Sequence, residues 1–484
     1  MRTSTSHPLQ IAEVQPFAGA GRIGITFCPG KVQPSAMSGS WHRDLGLDLD
    51  AVADWNAASV VTLVEDHELQ TLQVTTMGTE VQARHMRWHH LPIRDFSTPD
   101  AEFERQWDAV GEGIRSQLRA GFNVLVHCKG GLGRAGTIAA RLMIELGTTP
   151  KDAVVAVRST RPGAIETSAQ LAYVMGLKAV AEAQPATTAD AIVDRATGAL
   201  LGLAIGDAVG TTLEFKARDS YPLLTDMIGG GPFRLKAGEW TDDTAMALAL
   251  ADSLSTNPSL DEADLMRRFV DWHQTGTYSC TGSCFDIGIA TRQALSRWKK
   301  TGDPFAGSTD PRTAGNGSLM RLSPVAIRHF GNRALLRDVA ARQSRTTHGA
   351  PEAVDACLAY AEAIADAIEG AKRSEVLRAR LEPYAGAISP IMAGSWCGKP
   401  RRDIRASGYV VHSLEASLWS VARTGDVRDA VLLAANLGED ADTTGAITGQ
   451  LAGALYGYDA IPQSWQDRVA WGPRMMDMVA ALLH

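Results

Sequence analysis

Cysteine is scarce in this chain. Cys28, Cys128, Cys280, Cys284, Cys357 and Cys397 are the six thiols among 484 residues. That density excludes a disulfide-stapled scaffold, so folding must rest on packed cores. Positive charge is not in excess either: 47 Lys and Arg stand against 54 Asp and Glu, a net charge of −7. A basic nucleic-acid surface spread over the whole chain is therefore not expected, although a local basic pocket remains compatible. Long hydrophobic runs are missing as well. The most apolar stretch, ATGALLGLAIGDAVG, is interrupted by Asp207 and preceded by Asp194 and Arg195. It reads as too short and too charged to span a bilayer. The opening MRTSTSHPLQ lacks the apolar segment of a secretory signal, so a cytoplasmic location without a membrane partner is expected. What the chain does have is core material, 45% hydrophobic against 21% charged residues. Its length suggests about three average domains, or two with one large.

The texture changes along the chain. Up to about residue 180, short β-branched runs alternate with helical patterns. RIGITFC, SVVTLVE and FNVLVHC read as strands, DAVADWNAA and AGTIAARLMIELG as helices, and TSAQLAYVMGLKAVAEA as a helix reaching about Ala183. Strand, tight loop and helix in repetition predict an α/β domain. PATTAD then reads as a linker. Beyond it, Ala-rich helical periodicity takes over, as in DDTAMALALADSL and PEAVDACLAYAEAIADAIEG. The expected organisation is an α/β domain over 1–183, a linker at 184–190 and an all-helical domain over 191–484.

The stretch His127-Cys128-Lys129-Gly130-Gly131-Leu132-Gly133-Arg134 closes a predicted strand and opens a predicted helix. Glycines permit a tight loop whose N–H groups converge with the helix N-terminus on one point, a nest for an anion. The same field favours a thiolate at Cys128, and Arg134 can fold back to grip phosphate oxygens. This stretch resembles the His-Cys-x5-Arg signature of the protein tyrosine and dual-specificity phosphatases. VRSTRPGAIETSAQLAYV points to the cyclin-dependent kinase inhibitor 3 and Cdc14-like branch. The resemblance implies a cysteine-phosphatase fold over roughly residues 20–180, with Cys128 as nucleophile and Arg134 as phosphate ligand. His127, Lys129, Gly131 and Gly133 would complete the phosphate-binding loop. Asp95, in LPIRDFSTPD, would be the general acid, while Asp100 reads as a helix start. Ala135 departs from the family, which has Ser or Thr there to assist loss of the thiolate. Thr137 lies two positions further on. The domain is thus expected either to turn over phosphorylated substrates or to bind them without turnover.

Two acidic segments stand almost 200 residues apart, Thr241-Asp242-Asp243-Thr244 and Gly438-Glu439-Asp440-Ala441-Asp442-Thr443. Each opens a helical pattern. Carboxylates there can cap a helix, or they can act as hard oxygen ligands for Mg²⁺ or Mn²⁺, with enough of them for two ions. Cys280 and Cys284 lack companions for a zinc site and read as buried thiols. GDAVGTTLEF, GEWTDDTAM, CFDIG, AGNGSLMRLSP, SRTTHG, GYVVHSLEASLW and GEDADTTGAITGQLAGALYG, in that order, resemble the ADP-ribosylglycohydrolase family, nearest its dinitrogenase reductase-activating branch. The resemblance implies an all-α fold and a metal set of Thr241, Asp242, Asp243, Asp440, Asp442 and Thr443. It implies Glu214 and Asp286 as catalytic carboxylates. Asn316, Gly317 and Ser318 would contact ribose or phosphate, His348 the ADP-ribose, and Tyr409 would cover the ligand. Ile289 and Ala290 follow CFDIG where an Asn is usual. ADP-ribosyl-arginine is the expected substrate, with another side chain, a small molecule or a nucleic-acid phosphate end left open. The whole chain is expected to be a bifunctional hydrolase.

Overall fold

The structure, a computed structural model, describes residues 1–36 and 39–484. Short runs rich in β-branched residues become β1 (Ala12–Val14), β2 (Ile23–Phe27), β3 (Val32–Gln33), β4 (Trp41–His42), β5 (Ala57–Thr62), β6 (Arg87–His90) and β7 (Asn123–Cys128). Five of them form one sheet in the order β1-β2-β7-β5-β6. β1 is antiparallel to β2, and the other neighbours are parallel. Alternation gives each strand two faces. Ile23, Ile25, Val61, Val124 and Val126 pack with Phe103, Ile114 and Ile138 on one side. Val60 and Leu125 pack with Leu49, Val52 and Met77 on the other. Both faces are covered, as parallel strands require. The helices are α1 (Leu45–Asp54), α2 (Asp66–Thr71), α3 (Met77–Gln82), α4 (Ala101–Arg119), α5 (Gly133–Glu145), α6 (Pro150–Thr160) and α7 (Ser168–Gly176). α7 ends at Gly176, short of the Ala183 expected from its pattern. Beyond Gly176 the side chains are mostly exposed, so no apolar stripe holds a helix together there.

The described residues divide into two units, Met1–Glu182 with Arg423–Gly425, and Ala183–Ala422 with Asp426–His484. The second is almost entirely helical. Its elements are α8 (Ala189–Gly210), α9 (Asp242–Thr256), α10 (Glu262–Thr275), α11 (Ile289–Thr301), α12 (Ser323–His329), α13 (Arg333–Thr347), α14 (Pro351–Glu369), α15 (Arg373–Val376), α16 (Ile388–Met392), α17 (Val410–Arg423), α18 (Val427–Ala435), α19 (Ala441–Tyr456), α20 (Gln463–Gln466) and α21 (Gly472–Leu483).

α8 and α19 set the centre of this unit. Gly198, Gly202 and Gly206 on α8 face Gly453, Gly449 and Gly445 on α19, one glycine per turn on each helix. A Cβ on Gly202 would lie 2.3 Å from the carbonyl oxygen of Gly449, so only glycine permits this approach. The pairing delivers Asp207 of α8 and Asp442 of α19 to the same place. Together with the turn that follows it, α8 is long and apolar enough to cross a membrane by length and composition, contrary to the expectation from its apolar run. Its most apolar window is 94% buried inside the fold, where a helix apolar on all sides belongs.

Candidate active sites

In the first unit, β7 delivers Cys128 to the end of the sheet, paired with Phe27 of β2. The loop then turns through Gly131, whose φ is +68°, and a Cβ there would lie 2.4 Å from the Phe27 nitrogen. Glycine is required at that position. The Gly131 N–H donates to Cys128 Sγ at 3.3 Å, and α5 begins at Gly133. One backbone N–H, the thiol and the start of α5 thus lie together.

Arg134 is buried with its guanidinium already oriented. Nη1 donates to Glu68 Oε2 at 2.6 Å and to the Ile93 carbonyl at 2.9 Å, while Nη2 donates to Glu68 Oε1 at 3.0 Å. Nη2 also pairs with Asp95 Oδ1 at 3.1 Å. Burial opposes the Arg134 charge, but Glu68, Cys128 and Asp95 outweigh it and raise its pKa. Asp95, half-exposed, therefore lies beside Arg134, whereas Asp100 caps α4 by accepting from the Phe103 N–H. Buried His127 shares a hydrogen bond with Thr62 Oγ1 at 2.7 Å. Burial, then His90 and Arg134, lower its pKa to about 3, so it is a neutral ring joining β7 to β5.

Several residues around this loop were not singled out from the sequence. Lys31 Nζ donates to the Lys129 carbonyl at 3.2 Å and lies over the rings of Phe27 and Trp41. Burial lowers its pKa to about 8. Arg161 donates to the carbonyls of Gly131 and Gly130, bracing the loop from behind. The Gly133 N–H donates to Glu166 Oε2 at 2.7 Å. Ala135 is fully buried, and the Thr137 hydroxyl donates to the Gly133 carbonyl at 2.8 Å, so it is engaged within its own helix.

In the second unit, Asp207, Asp243 and Asp442 bring one ligand oxygen each within 4.8 Å of one another, as do Glu214, Asp440 and Asp442. Asp442 is common to both groups. Thr241 caps α9 and donates through N and Oγ1 to Asp207 Oδ1, both at 2.9 Å. Thr244 Oγ1 donates to Asp207 Oδ2 at 2.6 Å. Thr443 Oγ1 lies 3.4 Å from Asp243 Oδ2. Glu214 Oε2 accepts from the Ala441 N–H at 2.7 Å, which ties it to the start of α19. Asp242, buried and next to Asp243 at the start of α9, is not among the three carboxylates of either triad.

Among the described residues, no Lys or Arg forms an ion pair with these carboxylates. Burial and then repulsion from Asp442 raise Asp207 and Asp440 to about 7 and Asp286 to about 10. The same causes push Glu214 and Asp242 upward, and burial followed by Asp207 does so for Asp243. Asp243 Oδ1 is buried with no hydrogen-bond partner. Stacked buried carboxylates with an orphaned oxygen are costly alone and match the needs of a divalent cation. The donor set, all oxygen, suits a hard ion.

Asn316 Nδ2 donates to Asp440 Oδ2 at 2.6 Å and to Ser413 Oγ at 2.7 Å, joining the Asn-Gly-Ser segment to the acidic cluster. Gly317 lies against the His348 ring, where a Cβ would be 2.6 Å from Cε1. His348 is buried on Thr347, and burial lowers its pKa to about 3. Gly315 forms a backbone bridge to Tyr409, whose hydroxyl donates to Glu352 Oε2 at 2.5 Å. Ser318 is fully buried on Ser344 and holds the segment from below. Cys280 and Cys284 are partly exposed rather than buried. Asp207 is the residue that sequence reasoning missed. Its signal was a carboxylate inside an otherwise apolar helix.

Residues 188–484 match the ADP-ribosylglycohydrolase family model. The chain belongs to that family. Residues 28–174 match the model described as Swiss Army Knife protein, DSP-PTPase phosphatase domain. The chain therefore joins a phosphatase-like domain to an ADP-ribosylglycohydrolase domain. Over 297 residues it is 48% identical to ADP-ribosylarginine hydrolase Tri1 of Pseudomonas putida (strain GB-1), covering 61% of this chain and 79% of that one. It is 34% identical to the ADP-ribosyl-[dinitrogen reductase] glycohydrolase of Rhodospirillum rubrum, covering 58% and 92%. A solved ADP-ribosylglycohydrolase-related protein complex matches at 39% identity and a TM-score of 0.54, covering 61% of this chain and 98% of that one.

Proposed function

We propose that the second domain hydrolyses the N-glycosidic bond of ADP-ribosyl-arginine and that the first is a cysteine-dependent phosphomonoesterase. The observation that carries the first reading is the pair of carboxylate triads sharing Asp442 beside Asp286. The similarity to an ADP-ribosylarginine hydrolase supports arginine as the attachment. Asp207, Asp243 and Asp442, with Thr241 and Thr443, would hold one Mg²⁺ or Mn²⁺, and Glu214, Asp440 and Asp442 a second. When bound, such ions act as Lewis acids and lower the pKa of coordinated water. The chain's own groups do the rest. Asn316 orients Asp440, His348 and Tyr409 shape the ADP-ribose site, and Asp286 and Glu214 face the positive charge that develops on the ribose.

In the first domain, Cys128 attacks phosphorus, Arg134 holds the equatorial oxygens, and Asp95 protonates the leaving oxygen. The bidentate hold of Glu68 on Arg134 means that little reorganisation precedes substrate binding. The segment 157–174 supports the cyclin-dependent kinase inhibitor 3 and Cdc14-like branch. A second reading, capture of phosphorylated targets without turnover, is favoured by Ala135 and by the engaged hydroxyl of Thr137. The proposed setting is cytoplasmic, with an ADP-ribosylated protein or small molecule as partner. The test is mass analysis of products from substrates ADP-ribosylated on arginine, serine or a nucleic-acid phosphate end, each with Mg²⁺ and with Mn²⁺. Release of ADP-ribose from arginine alone supports the reading. Release only from another linkage replaces it.

A further inference from the structure

Three phenylalanines from three separate loops of the second unit form one aromatic ladder. Phe215 and Phe233 meet edge to face with centroids 6.3 Å apart, and Phe233 and Phe285 meet at 5.3 Å. The outer rung, Phe215, is 67% exposed, a large apolar ring offered to solvent instead of to a core.

The ladder starts and ends on carboxylates. Phe215 follows Glu214, and Phe285 precedes Asp286. Those two acids act on each other electrostatically although they lie far apart in the chain. The backbone at both junctions is held in the left-handed region, with φ of +61° at Phe215 and +57° at Asp286. The Phe215 N–H donates to the carbonyl of Glu439, itself at φ +62°, with a distance of 2.8 Å. Such backbone is costly for residues with bulky side chains, and it persists where the surroundings impose it. Here it recurs at both acid–aromatic junctions.

We propose that this ladder is the leaving-group platform of the glycohydrolase site. Phe285 and Phe233 stack on the guanidinium of an ADP-ribosylated arginine, Phe215 covers its aliphatic stem, and Asp286 supplies the opposite charge. The inference deepens the arginine reading given above and rests on it. A guanidinium is planar, cationic and weakly hydrated, so it suits an aromatic face and a carboxylate at once. A serine oxygen offers neither plane nor charge. A nucleic-acid phosphate end is an anion and gains nothing from an aromatic face. An arginine side chain is also long enough to reach inward past an exposed ring while its protein stays outside.

Hydrolysis breaks the bond between the ribose anomeric carbon and the guanidinium nitrogen and forms a bond from that carbon to water oxygen. The remaining water proton ends on the departing nitrogen, so the guanidinium is cationic in both substrate and product. During bond breaking, positive charge moves onto the ribose and the departing group loses it. A platform for the cation therefore binds substrate and product more than it binds the transition state, and its removal acts on KM.

The test uses the full chain loaded with Mn²⁺ and ADP-ribosylated agmatine as substrate, comparing wild type with Phe233→Leu and Phe285→Leu, which keep apolar bulk and lose the ring face. Each is expected to raise KM about 3- to 10-fold with no loss of kcat. Product inhibition by agmatine should weaken by the same factor, while inhibition by ADP-ribose stays unchanged. Phe285→Trp should restore agmatine inhibition. Unchanged KM and agmatine inhibition in both leucine variants, with wild type active, overturn the platform and leave the arginine reading intact. Equal weakening of agmatine and ADP-ribose inhibition also overturns it, because the rings then only support the loops. A wild type inactive on ADP-ribosylated agmatine, yet active on another linkage, removes the arginine reading and the platform together.

Discussion

Gly206 and Gly445 meet backbone to backbone. A Cβ on Gly206 would lie 2.1 Å from the Gly445 carbonyl oxygen, and one on Gly445 would lie 2.4 Å from that of Gly206. Asp207 and Asp442 stand near this crossing, so helix spacing and ligand spacing are one quantity. Gly206→Ala should force the helices apart, destabilising the second domain by about 1–3 kcal/mol, the usual cost of overpacking. It should also weaken Mn²⁺ binding. Calorimetric unfolding and metal titration check both. An unchanged midpoint with unchanged metal affinity would show that the contact yields easily.

Because Asp442 belongs to both triads, its loss should differ from that of its neighbours. Asp442→Asn is expected to lower bound Mn²⁺ at both positions, whereas Asp440→Asn or Asp207→Asn should each spare one. Elemental analysis of the dialysed protein gives the stoichiometry. Identical stoichiometry in all three variants would contradict a shared ligand.

Much of this was legible in the sequence because it is local. The run from His127 to Arg134 carries strand, loop and helix in one register, and the two acidic openings at Thr241 and Asp440 mark helix starts. Asp207 was not legible as part of the cluster: inside ATGALLGLAIGDAVG it reads as an interruption, and the approach of α9 and α19 to α8 gives it Thr241, Thr244, Asp243 and Asp442 as neighbours. The turn Thr211–Leu213 brings Glu214, an expected catalytic carboxylate, to the start of α19 and into a triad. Glu68, Arg161 and Phe233 owe their places to long-range contacts that no spacing encodes.

The buried alanine after Arg134 leads to a kinetic expectation. Cys128→Ser should abolish phosphate release, and Asp95→Ala should slow it by about 10²- to 10⁴-fold. With no hydroxyl at position 135 to assist thiolate departure, wild type should show a burst of leaving group with a chromogenic aryl phosphate, followed by slow turnover. Ala135→Ser should shorten the slow phase. Full activity in Cys128→Ser would remove the nucleophile assignment, and a linear trace without a burst would place the slow step elsewhere.

His127 gives a pH dependence of definite sign. Its folded pKa, lowered to about 3, lies below the ordinary 6.5. Between those values the unfolded chain binds the extra proton, so this contribution to stability is complete above pH 6.5 and declines as pH falls towards 3. At pH 5 the loss is about 2 kcal/mol. His127→Asn should reduce the acid sensitivity of the first domain by that order, measured as the difference in denaturant unfolding between pH 7 and pH 5. Equal sensitivity in both proteins would mean that the imidazole is protonated in the folded state.

The most direct test of two independent chemistries on one chain is to follow both activities in a single sample during metal removal. ADP-ribose release from ADP-ribosylated arginine and hydrolysis of an aryl phosphate are measured before chelation, after EDTA and after Mn²⁺ is restored, with circular dichroism recording the fold. The account predicts that EDTA abolishes ADP-ribose release reversibly and leaves thiol-dependent phosphate release within about 2-fold, since that chemistry needs no metal. Loss of both activities with the fold intact, or ADP-ribose release that survives chelation, would contradict it.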